Sequence, residues 1–288
     1  MTAISLTPEE VATYLDDRTL TSYALVSGAM LFLYDWMLML PVELDVVWSK
    51  KLRPLDVLYI IQRYMPLVDT IGLIFVVYFV EPLEPNMCHI LYNIGGWMYL
   101  TGMILTDVIL MMRTWALWGK DIRLTIGLPI FFVGCCVPIF YITYLYLNSQ
   151  ISIPSPVPHV GCAILGTESM YFLVWVILMV LEAVILTLML IPGLPYFRSG
   201  NWSALTTIIY RDGITYYLFI FGLSVANLLT VLLLPHDLET LFLTHQRVIQ
   251  TLLTSRVVLH IRQQLHKSQA ILLKEPERLG RQRVLPFR

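Results

Sequence analysis

Met30-Leu31-Phe32-Leu33-Tyr34-Asp35-Trp36-Met37-Leu38-Met39-Leu40 is a hydrophobic run with a single charge inside it. Placed in a membrane, that aspartate sits where an isolated charge is costly, so it calls for a partner in the bundle interior. The run is typical of the chain. Of 288 residues, 57% are hydrophobic and only 14% charged, where soluble domains carry about 25% charge. Net charge is -1, a balance that gives no hint of nucleic-acid binding. The hydrophobic runs are too long for soluble helices and predict one polytopic membrane domain.

Residues 1–19 form a polar, acidic segment. Thr7-Pro8-Glu9-Glu10 has the residues of a helix start: a capping threonine, a proline at the first position and early acids. A short amphipathic helix ahead of the membrane is expected there, and a basic, apolar signal peptide is not. Seven spans of about 20 residues follow, the length that crosses about 30 Å of hydrocarbon. They are expected near 20–40, 55–80, 91–113, 124–147, 169–191, 213–234 and 238–259. Pro66, Pro129 and Pro138 fall inside them and should kink them.

Basic residues orient the bundle. Lys50, Lys51 and Arg53 lie between spans one and two, Lys120 and Arg123 between three and four, and Arg198 and Arg211 between five and six. Beyond span seven come Arg262, Lys267, Lys274, Arg278, Arg281, Arg283 and Arg288. The loops near 81–90, 148–168 and 235–237 have no Lys or Arg. The expected fold is therefore all-α: a seven-helix transmembrane domain over 20–262, N-terminus outside, and a basic cytosolic tail over 263–288. The seventh span, with His245-Gln246-Arg247 near its middle, is kept because six spans would place the basic tail outside. An amphipathic helix lying on the membrane is its alternative. The sequon Asn201-Trp202-Ser203 then faces the cytosol and should be unmodified.

Of four cysteines, Cys135 and Cys136 lie inside span four and read as small buried hydrophobes. Cys88 and Cys162 fall in external loops, where a disulfide is permitted. A Cys88–Cys162 bridge would pin the second external loop over the third helix, a placement resembling that of many seven-helix receptors. Two free thiols are the alternative.

The intramembrane ionisable residues are Asp35, Arg63, Asp69, Asp107, Glu182 and Arg247, with Asn227 as a polar neighbour. Counting at about 1.5 Å per residue puts Asp35, Arg63 and Asp107 at similar depth in the cytoplasmic half. Asp35 is expected to pair with Arg63, and Asp107 to share that arginine. Arg247 is expected to pair with Glu182 or Asp69. Four acids against two bases leave surplus carboxyls, so at least one should be protonated or solvated. A structural polar network is one reading, and a conformational switch or proton path the other. Arg211-Asp212-Gly213 opens span six at the cytosolic face. It reads as an interfacial anchor or as a hinge for that span.

Several motifs are absent. Span seven holds no lysine for a retinal Schiff base, and span three ends Arg113-Thr114-Trp115 rather than Asp-Arg-Tyr. No catalytic serine elbow, zinc-protease motif or phosphate loop occurs, so no enzyme, cofactor or metal is expected. His89, His159, His236 and His245 read as solvated outer-side histidines.

Two blocks carry a resemblance. One runs Tyr34-Asp35-Trp36, Leu40-Pro41-Val42-Glu43, Trp48, Leu58-Tyr59 and Arg63-Tyr64-Met65-Pro66-Leu67-Val68-Asp69. The other runs Arg211-Asp212-Gly213-Ile214-Thr215-Tyr216-Tyr217, Asn227, Pro235 and Ser255-Arg256-Val257-Val258-Leu259-His260-Ile261-Arg262. Both resemble a large fungal family of seven-helix membrane proteins, domain of unknown function 6533. The resemblance implies a fungal integral membrane protein and carries over no activity, ligand or site residue. The functional expectation is a receptor-like sensor in the plasma membrane, in contact with the lipid bilayer, an unknown small ligand and a cytosolic signalling partner. A small proton- or ion-coupled transporter and a ligand-free scaffold are the alternatives.

Overall fold

A computed structural model describes residues 8–49, 54–79, 84–153, 163–165, 169–199, 204–233 and 242–282. Within them the chain forms seven helical rods and one small hairpin. Helix α1 (Pro8–Glu43) continues into a π-helical stretch, Leu44–Trp48. The second rod is built of α2 (Pro54–Pro66), a π-helical segment (Leu67–Leu73) and α3 (Ile74–Phe79). The remaining rods are α4 (Pro85–Leu117), α5 (Ile122–Ser149), α6 (Phe172–Ser199), α7 (Ala204–Leu233) and α8 (Leu243–Gln282). Strands β1 (Ile151–Ile153) and β2 (Ala163–Leu165) pair antiparallel, Ser152 opposite Ile164, and β1 packs on α4.

Five rods, the first, third, fourth, fifth and sixth, are long and apolar enough to cross a membrane. They mark the chain as an integral membrane protein. Their apolar side chains face outward in quantity, as lipid allows. The second and seventh rods are shorter in apolar sequence because they carry the polar residues of the interior.

Three expectations change. No separate amphipathic helix precedes the first span: α1 runs unbroken from Pro8. Nothing between Thr19 and Leu20 stops it, because no glycine or proline punctuates the junction. The first rod ends at Trp48, not Leu40, eight residues or about 12 Å further on. The tail beyond Arg262 continues α8 as far as Gln282 rather than forming a separate segment. Pro66 acts where expected, but through register. It has no N–H to return to the preceding turn, and the helix widens to π pitch directly after it. Pro129 and Pro138 are carried inside the single helix α5.

The α4–α5 turn is tight. Gly119 and Lys120 both take positive φ (63° and 64°), and Asp121 then caps α5 by accepting from the Arg123 N–H at 2.9 Å. Trp118 donates from its indole to the Leu188 carbonyl at 2.8 Å, fastening this turn to α6.

Two apolar clusters hold the α4–α5–α6–α7 side together. Leu100, Met103, Ile104, Ile139, Trp175 and Leu178 form one, towards the hairpin. Leu110, Leu181, Ile185, Ile214, Tyr217 and Ile220 form the other, towards the opposite end. Helix α8 closes the bundle by packing on α1, α2, α4 and α7.

Candidate functional site: a cavity beside a buried polar column

The first half of α8 is polar and buried. Thr244, Gln246, Arg247, Gln250, Thr251, Thr254 and Ser255 are all enclosed. Buried polar groups need partners, and the neighbouring helices supply many. Arg247 donates from Nε and Nη2 to Asp69 Oδ2 at 3.2 and 3.1 Å, and from Nη1 to Thr251 at 2.9 Å. Both charges are fully buried. Gln246 bonds Asn227 and donates to Ser224 at 2.8 Å. Gln250 donates to Glu182 Oε1 at 3.1 Å.

A glycine makes the Arg247 pair possible. Gly102 on α4 faces the guanidinium so closely that a Cβ there would overlap it. The small-residue face of the third span thus admits a charged group from α8.

Above this pair lies a cavity of about 120 Å³ among α1, the second rod, α4, α5 and α8. It is largely apolar. Its polar lining comes from Thr21, Thr143, Thr244 and the tyrosines 92, 99, 146 and 171. Tyr99 donates to the Leu243 carbonyl at 2.9 Å, and Tyr146 stacks on Tyr171 with centroids 4.0 Å apart. Thr143 Oγ1 is buried there without a hydrogen-bond partner among the described residues. The cavity touches α8 at Thr244, one turn from Arg247.

Toward the other end, the ion pairs differ from expectation. Arg63 is bonded to Glu43, Nε to Oε2 at 2.5 Å, with Tyr64 donating to Oε1 at 3.1 Å. Asp35 is bonded to Arg256 of α8, Oδ1 to Nε at 2.7 Å. The expected Asp35–Arg63 pair is therefore corrected. Because α1 stays helical to Trp48, Glu43 is a membrane-helix residue and reaches Arg63 from below, while Asp35 is left higher and faces α8. Asp56 and Arg262 form a further pair, and the Arg262 guanidinium lies over the Tyr59 ring, 5.8 Å from its centroid. Arg247 does choose one of its two expected partners, Asp69.

Asp107 does not share Arg63. It is 1% exposed and has no ion pair among the described residues. Glu182 likewise meets an amide, not a cation. Glu43, Arg256, Asp56 and Arg262 were missing from the expected network. The signal for Arg256 was there: Thr244, Arg247, Gln250, Thr251, Thr254 and Ser255 recur at helical spacing and form a polar face that continues toward Arg256.

Arg211-Asp212-Gly213 lies two turns inside α7 instead of opening it, and its side chains fall outside the described set. Cys162, His159, His236 and the Asn201 sequon also lie outside the described residues. Cys88 is buried near the start of α4, while Cys135 and Cys136 are free thiols. Among the described residues, no three His, Cys, Asp or Glu side chains gather to hold a metal.

No curated protein and no solved structure matches the chain. Residues 23–68 match the model of a family of unknown function, DUF6533, a stretch that contains Asp35, Glu43, Asp56 and Arg63 and so covers the α1–α2 side of the polar column.

Proposed function

We propose that this protein is a receptor-like membrane sensor with seven crossings, its N-terminus outside and its C-terminus in the cytosol. A small ligand occupies the outer cavity and shifts α8, and the ion pairs of α8 report the shift to the inner face. The carrying observation is that the cavity wall and the Arg247–Asp69 pair are one helical turn apart on the same helix. Two sites on one rigid element can bias a shared equilibrium.

Several features support this reading. Along the chain, the loops without Lys or Arg alternate with the basic ones. A Cys88–Cys162 bridge fits as a cap: Cys162 directly precedes β2, whose partner β1 packs on the helix that carries Cys88. Movement of α7 would pivot near Arg211-Asp212-Gly213. The plasma membrane of a fungal cell, a cytosolic signalling partner and a non-enzymatic role belong to the same reading. A proton- or ion-coupled carrier is the second reading, favoured by Asp107 and Glu182, which are buried without a cation.

Spin labels at Ser49→Cys and Arg123→Cys, on a background with Cys135 and Cys136 replaced by Ala, test the sensor. Gly95 borders the cavity, and a Cβ there would meet nothing nearer than the Leu73 Cβ at 3.9 Å, so Gly95→Phe stands in for a ligand. A sensor gives two label separations whose ratio changes about tenfold on filling the cavity, an effect of about 1.4 kcal/mol. An unchanged single separation in a folded variant removes the sensor, and proton flux in vesicles then decides for the carrier.

A further inference from the structure

Asp107 and Glu182 stand apart from every other intramembrane acid. Asp35, Glu43, Asp56 and Asp69 each have an arginine. Among the described residues Asp107 on α4 and Glu182 on α6 have none, yet both are almost fully buried and lie within coulombic reach of each other. Their position is a sealed one. Along α4, Asp107 falls between Met103–Ile104 of one apolar cluster and Leu110 of the other. Along α6, Glu182 falls between Leu178 and Ile185 of the same two clusters.

The unsatisfied side-chain atoms of these residues are oxygens. Asp107 Oδ1, Glu182 Oε2 and Gln250 Oε1 are all buried without a hydrogen-bond partner among the described residues. Gln250 is 0% exposed and is fixed at the pair by its amide N–H to Glu182 Oε1. Three unsatisfied buried acceptors ask for something positive. The surrounding helices do not supply it. Arg113 of α4 donates to the Val257 carbonyl at 3.3 Å, Arg247 of α8 is held by Asp69, and Arg63 of α2 by Glu43. From α5 comes the Cys136 thiol. From α7 come Ser224 and Tyr217, whose hydroxyl donates to the Leu110 carbonyl at 2.8 Å.

We propose that Asp107 and Glu182 are a proton-binding site, one proton held by the pair so that it carries a single negative charge. Two carboxylates cannot both stay ionised at close range in a low-dielectric interior, and one proton removes the conflict. A metal ion would need about six oxygen ligands, whereas a proton needs two. The proton comes from water and returns to it, with no other bond made or broken. Gln250 ties the site to α8, so proton occupancy and the position of α8 are linked. This assignment does not depend on whether the outer cavity takes a ligand.

Infrared spectroscopy of the full chain in phosphatidylcholine nanodiscs tests it, at neutral pH in choline chloride. The expected result is the carbonyl stretch of a protonated carboxyl, lost in the Asp107→Asn, Glu182→Gln double variant and kept at full intensity in Asp45→Asn. Where the double variant fails to fold, each single variant must still shift or remove the band. Carboxyl-¹³C aspartate or glutamate in the wild type must move it without any substitution. Absence of the band, or its survival unchanged in the double variant, overturns the proposal. So does a melting temperature that rises with sodium but not with choline, which would make the pair a cation site.

Discussion

Helices α5 and α8 solve opposite problems. In α5, Ile126, Ile130, Val133, Val137, Tyr141 and Tyr144 are exposed at steps of three and four residues, an apolar stripe facing lipid. In α8, the stripe at the same spacing is Thr244, Arg247, Thr251, Thr254 and Ser255, and it faces inward. A soluble bundle would reverse both faces. In lipid an outward apolar face costs nothing, so association rests on close packing and polar contacts rather than on burying oil. The lesson is that α5 is replaceable in detail while α8 is not. Substitutions should therefore separate the two helices by size of effect.

The largest effect belongs to Arg247→Met. It leaves Asp69 buried without its cation, and breaking a buried pair from one side costs about 3–5 kcal/mol. Denaturation in detergent or nanodiscs should show a loss of that order, partly regained in Asp69→Asn, Arg247→Met. A loss no larger than that of an exposed substitution would mean that the column is not what holds α8. Next is Gly102→Ala. The added methyl overlaps the guanidinium, which can yield only by leaving Asp69, so overpacking should cost about 1–3 kcal/mol. In the Arg247→Met background the same methyl has room. The two losses should then fail to add, and the coupling measures the contact directly.

A smaller loss is expected further along α8. The Arg256 side chain is 44% exposed although Asp35 is buried. Solvent screening limits Arg256→Gln to on the order of 1 kcal/mol. Thermal melting of Arg256→Gln beside Arg247→Met ranks the two directly. A larger loss at Arg256 would invert the picture of a column anchored at mid-membrane.

The difference between the helices also explains what could be read from the chain beforehand. Hydropathy located the five long apolar rods, because an apolar run of membrane length has few other meanings, while the seventh was kept on the distribution of Lys and Arg. The Asp69–Arg247 pair was within reach for the same reason, as both residues lie inside apolar runs. Glu43 was misjudged because hydropathy ends a span where polarity returns, whereas hydrogen bonding ends a helix only where the backbone must turn; Arg256 falls inside the expected seventh span and was left out of the expected network all the same. Helix α1 runs eight residues past its apolar run, and α8 more than twenty past its own. Every partner assignment near the inner face shifts accordingly. The π segment after Pro66 was not legible either: a proline announces an interruption, but not the register by which it is absorbed. The cavity left only tyrosines and glycines divided among α4, α5 and the turn Ser169–Tyr171, with no spacing to unite the three.

The smallest effect sharpens the comparison from the side of α5. Gly134 is exposed, lies mid-helix, and has nothing within 4 Å of where a Cβ would stand. Its φ is ordinary, so alanine there meets no strain. It removes backbone freedom from the unfolded chain, and Gly134→Ala should stabilise by about 0.5–1 kcal/mol. Gly102→Ala is the same chemical change in a helix of the same bundle, with the opposite sign expected. If Gly134→Ala destabilised instead, another surface would have to cover α5, either a lipid headgroup pocket or a second copy of the chain. Concentration-dependent melting would tell these apart, since only a second copy makes stability rise with protein concentration.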